Sequence, residues 1–422
     1  MLKKVAIIGA GPAGLLLTHY LLRRNQYQID LYERRHESDL KANGNRSFPI
    51  SLQERGQKAI RAILGLEKAI AEESVFCQGT IVYRQNGKLK NLKRKNTILT
   101  IDRNRLVNVL LQQLPDSEQV KIHFGCECTH IDDATKTITL QSSVNSFTAD
   151  YDLLVGADGA NSPVRDCLQE QGIVECNATY VSDAYKSLYL ERLNHDLELE
   201  LAPDRIHTSN LGNNIRTILV PQPENKLNGV IIFPANSNPF EKLATKAEVL
   251  DYFQENCPVF APLMPESEAE ALLKRPVGRV LTVRCDRFDD GDSLLLIGDA
   301  AHAVSPSIGQ GCNSALEDVF VLGKLIEQYK DDWSQILPQF SQARVPDAHA
   351  LRELSDYSFP RTKLLVVEFF LRLTASRLLH KYFPRWFKPF IFDLVLDTDM
   401  PYAEVLNNNR RWIDKVKLSM SK

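Results

Sequence analysis

Apolar and polar positions follow three different rhythms along this chain, and each predicts a different kind of element. Val5-Ala6-Ile7-Ile8 is a short continuous apolar run, as expected of a strand buried on both faces of a parallel sheet, and Ala13 to Leu22 continues as an apolar helix. Gln28-Ile29-Asp30-Leu31-Tyr32 reads as the next strand and ends at Glu33. Ser293-Leu294-Leu295-Leu296-Ile297 is a further buried run far down the chain. Between them the pattern shortens to strand-like stretches, many of them alternating: Ser187-Leu188-Tyr189-Leu190, Leu197 to Leu201, Ile215 to Val220 and Gly229 to Phe233. These predict a mostly antiparallel sheet with one wet face, joined by a hairpin over Thr80 to Lys90, whereas Arg103 to Leu110 returns to helix. After Asp318 the pattern is helical: Asp331-Asp332-Trp333 opens one segment, Val345-Pro346-Asp347 starts another, and Phe359-Pro360 breaks it.

Residues Lys363 to Leu379 mix apolar positions with Glu368, Arg372 and Arg377, followed by Tyr382-Phe383-Pro384-Arg385-Trp386-Phe387. Those charges exclude a spanning helix of about twenty apolar residues. Helices covering a pocket are the favoured reading, with peripheral membrane contact by the C-terminal helices as the alternative.

At 422 residues the chain exceeds one ordinary core. The division expected is residues 1–75, 98–175 and 276–345 for a nucleotide-binding domain, 76–97 and 176–275 for a sheet domain, and 346–422 for a C-terminal helical region. Lys plus Arg is 51 against 53 Asp plus Glu, so no bulk charge argues for nucleic acid. The basic run Lys88 to Lys95 lacks interleaved aromatics and reads as a solvated hairpin edge. Eight cysteines show no metal-ligand spacing, so reduced structural thiols and no metal are expected. The first strand begins within five residues of Met1, which leaves no room for a targeting segment and gives a cytoplasmic expectation.

Candidate chemistry lies where the apolar runs end. Gly9-Ala10-Gly11-Pro12-Ala13-Gly14 sits at a strand-to-helix turn, where Gly9 permits the turn, Gly11 lets backbone approach a pyrophosphate and Gly14 lets helix pack on strand. Glu33, nineteen residues beyond Gly14, suits ribose hydroxyls. A second cradle follows the late strand: Gly298-Asp299, then Pro306 and Gly309-Gln310-Gly311-Cys312-Asn313, offering a carboxylate for a ribityl hydroxyl and backbone amides for pyrophosphate or a flavin edge. A nicotinamide dehydrogenase has no need of this second cradle. Between the two stands Asp158-Gly159 in Val155-Gly156-Ala157-Asp158-Gly159-Ala160.

These three blocks, in this order, resemble those of the single-component (class A) flavoprotein monooxygenases, the family of 4-hydroxybenzoate hydroxylase. The kynurenine 3-monooxygenase subgroup is the most similar, through Asn45-Arg46-Ser47 running into Ser51 to Gly56 and through Phe340 to Ala350 leading to Leu354-Ser355-Asp356-Tyr357. The resemblance implies an α/β fold: a Rossmann-like FAD-binding domain with an inserted antiparallel substrate sheet and C-terminal helices. It further implies FAD, reduced by NADPH or NADH, and oxygen transfer from a flavin C4a-hydroperoxide to an aromatic or electron-rich small molecule, with no catalytic side chain named. Carried over by position, Gly9, Gly11, Ala13, Glu33, Arg34 and Arg103 fall on the adenosine side, with Pro12, Gly14, Gly159, Gly298 and Pro306 also cofactor-binding. Arg46, Asp158 and Asp299 fall along the ribityl and pyrophosphate, and Gly309, Gln310, Gly311, Cys312 and Asn313 at the flavin end. Phe233, Pro306, Ile308 and Tyr402 are candidates for the pocket wall, and His302 reads as a structural histidine.

The departures from that subgroup concern the substrate. Its members hold an amino-acid carboxylate with an arginine on the first hairpin strand, a tyrosine beyond it and an asparagine after the residue matching Tyr357. Here stand Gln78 and Thr80, Lys93-Arg94-Lys95, and Ser358. A substrate without a free amino-acid head group, or one held in another pose, is therefore expected. The rival readings are a flavin-dependent halogenase, an isoprenoid reductase or dehydrogenase, and a non-catalytic FAD-binding redox sensor. The tryptophan halogenase motif is absent, since Trp333, Trp386 and Trp412 stand alone.

Overall fold

The structure, a computed structural model, describes residues 2–41, 48–84, 88–194, 196, 198–212, 214–360 and 362–420. Arg46, Gln85-Asn86-Gly87 of the expected hairpin segment and Leu197 lie outside the described residues.

The continuous apolar runs pair as parallel strands because they can be buried on both faces. Lys3–Ile8 lies between Leu153–Gly156 and Tyr27–Glu33, with Val5 opposite Leu153 on one side and Ile29 on the other. Leu294–Leu296 continues the sheet beyond Leu153–Gly156, and Val120–Phe124 extends it at the far side. Since these strands run the same way, Gly9, Ala157-Asp158 and Gly298 all emerge at one edge, which is where ligands sit in open α/β sheets. Helices Pro12–Leu22 and Gly311–Gln328 cross closely enough that a Cβ on Gly323 would lie 2.4 Å from the Tyr20 ring.

A second sheet holds eight strands, in the order Gly278–Cys285, Cys176–Glu191, Lys226–Pro234, Ile215–Gln222, Arg205–Gly212, Val75–Tyr83, Leu89–Asp102 and Pro49–Leu52. Its pairings are antiparallel except that between Arg205–Gly212 and Val75–Tyr83. Pro49–Leu52 and Gly278–Cys285 join this sheet although both come from segments expected in the nucleotide domain. Leu219, Leu227, Ile231 and Phe233 pack from one face onto helices Lys246–Asn256 and Glu266–Lys274. The opposite face turns toward the nucleotide domain and the C-terminal helices: Asn228 there donates to Asp102 Oδ2 at 2.6 Å, and the Lys90 ammonium lies 4.1 Å from the Phe370 ring centre.

The expectation of reduced thiols throughout is corrected at the neck of this domain. Cys176 and Cys285 stand directly opposite in the ladder, Cα atoms 4.1 Å apart, and form a disulfide where the chain enters and leaves the sheet. Opposed residues of antiparallel strands bring their side chains together whatever their sequence distance.

Helices Trp333–Tyr357, Lys363–Tyr382, Ile391–Asp397, Tyr402–Asn408 and Arg410–Met420 form the C-terminal region. The expected new start at Val345-Pro346 is not observed: one helix runs through both Pro338 and Pro346. Fully buried Phe340, Leu351 and Leu354 offset the lost backbone bonds, which cost about 3 kcal/mol per proline in an unsupported helix. No helix among the described residues is long and apolar enough to cross a membrane.

Candidate functional site

At the edge where the parallel strands end, the backbone leaves room for a ligand and little for side chains. Gly9 has φ of +107°, and a Cβ there would sit 2.5 Å from the Ala157 carbonyl oxygen. A Cβ on Gly14 would lie 2.1 Å from the Gly9 oxygen, so helix and turn touch as expected. At Gly11 the added carbon would meet nothing nearer than 3.9 Å, leaving the open approach that a pyrophosphate requires. Pro12 begins the helix and Ala13 is buried against Gly298, so the two glycine cradles adjoin.

Beside them Gly9, Tyr32, Glu33, Arg34, Cys126, Asp158 and Pro163 line one cleft. Glu33 accepts from Ala10 N at 2.9 Å and pairs with Arg35 at 2.9 Å. Burial pushes its carboxyl upward, but these bonds hold it below the ordinary range. Arg35, which the sequence reading passed over, thus anchors the acid while Arg34 stays exposed on the cleft. Asp158, expected among the ribityl and pyrophosphate contacts, lines this same cleft with Glu33 and Arg34. Its Oδ2 accepts from Val164 N at 3.2 Å, its Oδ1 is buried with no partner, and burial pushes its carboxyl up to about 6. An orphaned buried acceptor of this kind calls for a donor from a ligand. Next to it Gly159 has φ of +87° and open space before it.

Arg103 reaches the first cradle from the side. Its Nη2, like the Ala157 carbonyl oxygen, lies 3.9 Å from where a Gly11 Cβ would sit, and its charge also bears on Cys312 and Tyr185, so it stands between the two cradles. Tyr185, half-buried on the second sheet and edge-on to Phe48, is a further residue at this junction that apolar patterning alone could not reveal.

At the far end Asp299 is exposed, with its Oδ1 3.9 Å from where a Gly311 Cβ would sit, and Gly309 adopts φ of +65°. Gln310 and Asn313 are fully buried. Asn313 Oδ1 accepts from Gln53 N at 2.7 Å, and its amide donates to Ser51 O and Gly309 O at 2.8 and 3.0 Å. Gln310 donates to Gln53 Oε1 at 2.5 Å and accepts from the Tyr402 hydroxyl at 2.7 Å. Both side chains are therefore spent on shaping the loop, and only backbone amides remain to face a flavin. Gln53 and Ser51, from the strand Pro49–Leu52 and the turn after it, complete this network. Burial pushes the Cys312 thiol up to about 12, so it stays protonated.

Tyr402 is fully buried under the Arg55 guanidinium, 3.9 Å from its ring centre. Ile308 packs with it in the C-terminal cluster, and Pro306 opens the short turn beside it. Phe233 does not line this space. It is fully buried on the far face of the sheet against Phe240, and its neighbours Val230 and Ile232 turn toward the cradles instead. Gln78 is exposed, whereas Arg94 points from the second hairpin strand toward the C-terminal helices. Its Nη1 is buried without a hydrogen bond, burial lowers its pKa, and the Asp397 carboxylate, whose Oδ1 is also orphaned, opposes that shift.

Behind the second cradle lies a charged core. Asp318 accepts from Gly298 N at 2.8 Å, from His302 Nε2 at 2.6 Å and from Arg344 Nε at 2.7 Å, all within the interior. His302 is therefore structural, as its setting between alanines implied. Arg344 also reaches Glu317 and Asp347, and Glu317 reaches Arg55.

Two adjoining glycine cradles, an orphaned carboxylate oxygen at one end, a guanidinium between and backbone amides at the other make up a donor and acceptor set that fits a flavin dinucleotide. In agreement, the chain belongs to the FAD binding domain family, whose profile matches residues 3–355. Among its relatives it is 31% identical over 412 residues to kynurenine 3-monooxygenase of Sus scrofa, covering 95% of this chain and 85% of that protein. It is 30% identical over 421 residues to kynurenine 3-monooxygenase of Legionella pneumophila (strain Corby), covering 96% and 90%. Among solved structures, the tetrameric form of 2-methyl-3-hydroxypyridine-5-carboxylic acid oxygenase superposes with a TM-score of 0.69 at 23% identity, covering 85% of this chain and 91% of that one, which is a likeness of fold. The chain is an FAD-dependent monooxygenase that uses NAD(P)H, and the halogenase, reductase and sensor readings are not favoured.

Proposed function

We propose that this enzyme hydroxylates an aromatic small molecule carrying an anionic group, with Arg94 as the anchor of that group. FAD, when bound, takes hydride from the nicotinamide nucleotide and delivers one oxygen atom of O₂ to the substrate. The chain's own part is to hold and to exclude. Gly11 and Arg103 receive the pyrophosphate, Glu33, Arg34 and Asp158 the adenosine ribose, Asp299 the ribityl chain, and the amides of Gly309 to Asn313 the flavin edge. Tyr402, tied to Gln310, closes the C-terminal helices over that edge and keeps water out.

The observation that carries the substrate reading is the buried pair of orphans, Arg94 Nη1 and Asp397 Oδ1. A guanidinium N–H taken from water without an acceptor is costly, and an anionic substrate group with a neighbouring donor would satisfy both orphans. Asp397 lies three residues before Met400, whose carbonyl accepts from Arg55 beneath Tyr402, which supports placing this pair over the flavin end. Kynurenine, the compound in the relatives' name, belongs to this class but would have to sit with its carboxylate on Arg94 instead of on the first hairpin strand. The test is steady-state NAD(P)H oxidation coupled to product analysis with isotopic O₂, across aromatic acids, aromatic amino acids and neutral phenols, in wild type and Arg94→Met. The expected result is coupled turnover of anionic substrates whose KM rises roughly a hundredfold in the variant, corresponding to loss of about 3 kcal/mol. Neutral phenols turned over best by wild type, with no effect of the variant, would refute the assignment. A cytoplasmic setting belongs to the same reading, since the reaction draws on reduced nicotinamide nucleotide.

A further inference from the structure

Arg55 is the second residue of helix Glu54–Arg61, and its side chain is 1% exposed. The first turn of a helix is the wrong place for a cation, because the peptide dipoles turn their positive end there. Burial adds the cost of taking the charge out of water, so the guanidinium is held only by what surrounds it. Its partners come from two places far along the chain. Nη1 donates to Glu317 Oε1 at 2.8 Å, on the helix Gly311–Gln328, and Nη2 donates to the Met400 carbonyl. The Tyr402 ring covers the face of the group at 3.9 Å, and Nε is buried without a hydrogen bond. Were residues 400–402 to lift away, Nη2 would lose its acceptor and the guanidinium its ring, leaving Glu317 to hold the charge. The segment therefore completes a cation that the body of the protein satisfies only in part.

Both ends of this contact lead into the second cradle. Tyr402 donates to Gln310 Oε1, and Gln310 in turn donates to Gln53, two residues before Arg55. Glu317 Oε2 accepts from Arg344 Nη1 at 3.0 Å, and Arg344 holds Asp318, the acceptor of the Gly298 amide. A parallel branch runs from Arg344 through Asp347, whose Oδ1 accepts from Ala403 N at 2.9 Å. The outer contact of the same helix, Lys58 with Asp399, joins two solvated side chains and is worth little. Among the described residues, the guanidinium is thus the contact to residues 399–402 that is both charged and buried. We propose that Arg55 is a positioning residue that clamps residues 400–402 onto the second cradle and so presents Tyr402 to the flavin end. The proposal rests on the reading above that Tyr402 closes the C-terminal helices over the flavin edge, and in it Arg55 acts through Tyr402, without touching substrate.

The test uses the full FAD-loaded chain without any aromatic substrate, so it stands apart from the assignment of Arg94. Hydrogen exchange followed by mass spectrometry should show peptides over helix Tyr402–Asn408 exchanging roughly tenfold faster in Arg55→Met than in wild type, while peptides over the strand Lys3–Ile8 keep their rates. Acrylamide, a neutral quencher, should reach the bound flavin more readily in the same variant. Tyr402→Leu removes the partner from the other side and should raise exchange to the same extent, with the double variant no worse than either single one. Arg55→Lys keeps a cation under the ring and an N–H for the Met400 carbonyl, so it should recover most of the protection. If Arg55 served only to fill space, Met would hold the segment better than Lys, and that result would overturn the proposal. Additive effects of the Arg55 and Tyr402 substitutions would overturn it as well, as would exchange that rises evenly over the whole chain. Faster exchange of the helix with unchanged quenching would uphold the clamp and refute Tyr402 as the cover of the flavin edge, so the two failures are told apart.

Discussion

Replacing Asp318 with Asn tests whether the second cradle is held from behind by charge. The carboxylate is fully buried, and burial alone would raise its pKa; the charges of His302 and Arg344 outweigh this and hold it at about 2. Relative to the ordinary 3.8, that is a preference for the ionised form of about 2.5 kcal/mol at roughly 1.36 kcal/mol per unit. The substitution also obliges an amide N–H to face either Arg344 or the Gly298 amide, both donors, and breaking a buried pair costs about 3 to 5 kcal/mol. At neutral pH the variant should therefore lose about 3 to 5 kcal/mol of stability by urea unfolding, and release FAD more readily because the Gly298 amide loses its acceptor. The pH dependence has a definite sign. A carboxylate with a depressed folded pKa stabilises above its unfolded value of about 4, and that contribution is lost as pH falls toward 2, so the gap between wild type and variant should narrow over that window. Paired unfolding curves between pH 2 and pH 7, followed by circular dichroism and by flavin fluorescence, provide the measurement. A variant within about 1 kcal/mol of wild type at pH 7, with unchanged FAD affinity, would refute the reasoning.

Three further outcomes are expected. Phe233→Ala should cost about 3 to 5 kcal/mol with little change in substrate preference, whereas Ile232→Ala should alter KM or uncouple turnover at smaller cost in stability; the reverse pattern in urea melts and kinetics would show that the two faces are misassigned. Asp158, raised to about 6 by burial, stabilises the folded apoprotein fully below about 4 and loses that contribution as pH rises through 6, up to about 3 kcal/mol, so a thermal-midpoint profile of the apoprotein should fall across that window and flatten in Asp158→Asn. Reducing the disulfide between Cys176 and Cys285, which are 109 residues apart, should destabilise the protein by up to about 4 to 5 kcal/mol in the chain-entropy account, and Cys176→Ser should reproduce the reduced midpoint.

The parts of this protein legible in its sequence share one property: their cause lies within a few residues. Gly9 and Gly14 are required because a Cβ would strike the neighbouring backbone, and the apolar runs around them can only be buried strands and helices, so the cradles and the α/β fold could be read directly. Glu33 was found for the same reason, at the end of the strand that follows. What could not be read depends on partners far along the chain. The pairing of Cys176 with Cys285 follows from ladder register, and the span of 109 residues between them conceals it. Phe233 was chosen for its apolar ring, but strand side chains alternate, so its correct face is known only once Ala184 is seen opposite it and the helices are seen beneath. How far Arg103 and Asp158 reach could not be read either, since the reach of a side chain from a helix start or a strand end depends on what packs behind it. Arg94 sits in a run that reads as a solvated hairpin edge, and only the C-terminal helices, folding back some three hundred residues later, leave one member of that run half-buried with its Nη1 shut away from water. The cradles are thus dictated locally by backbone sterics, while the surroundings of Arg94 depend on the register between distant strands and helices.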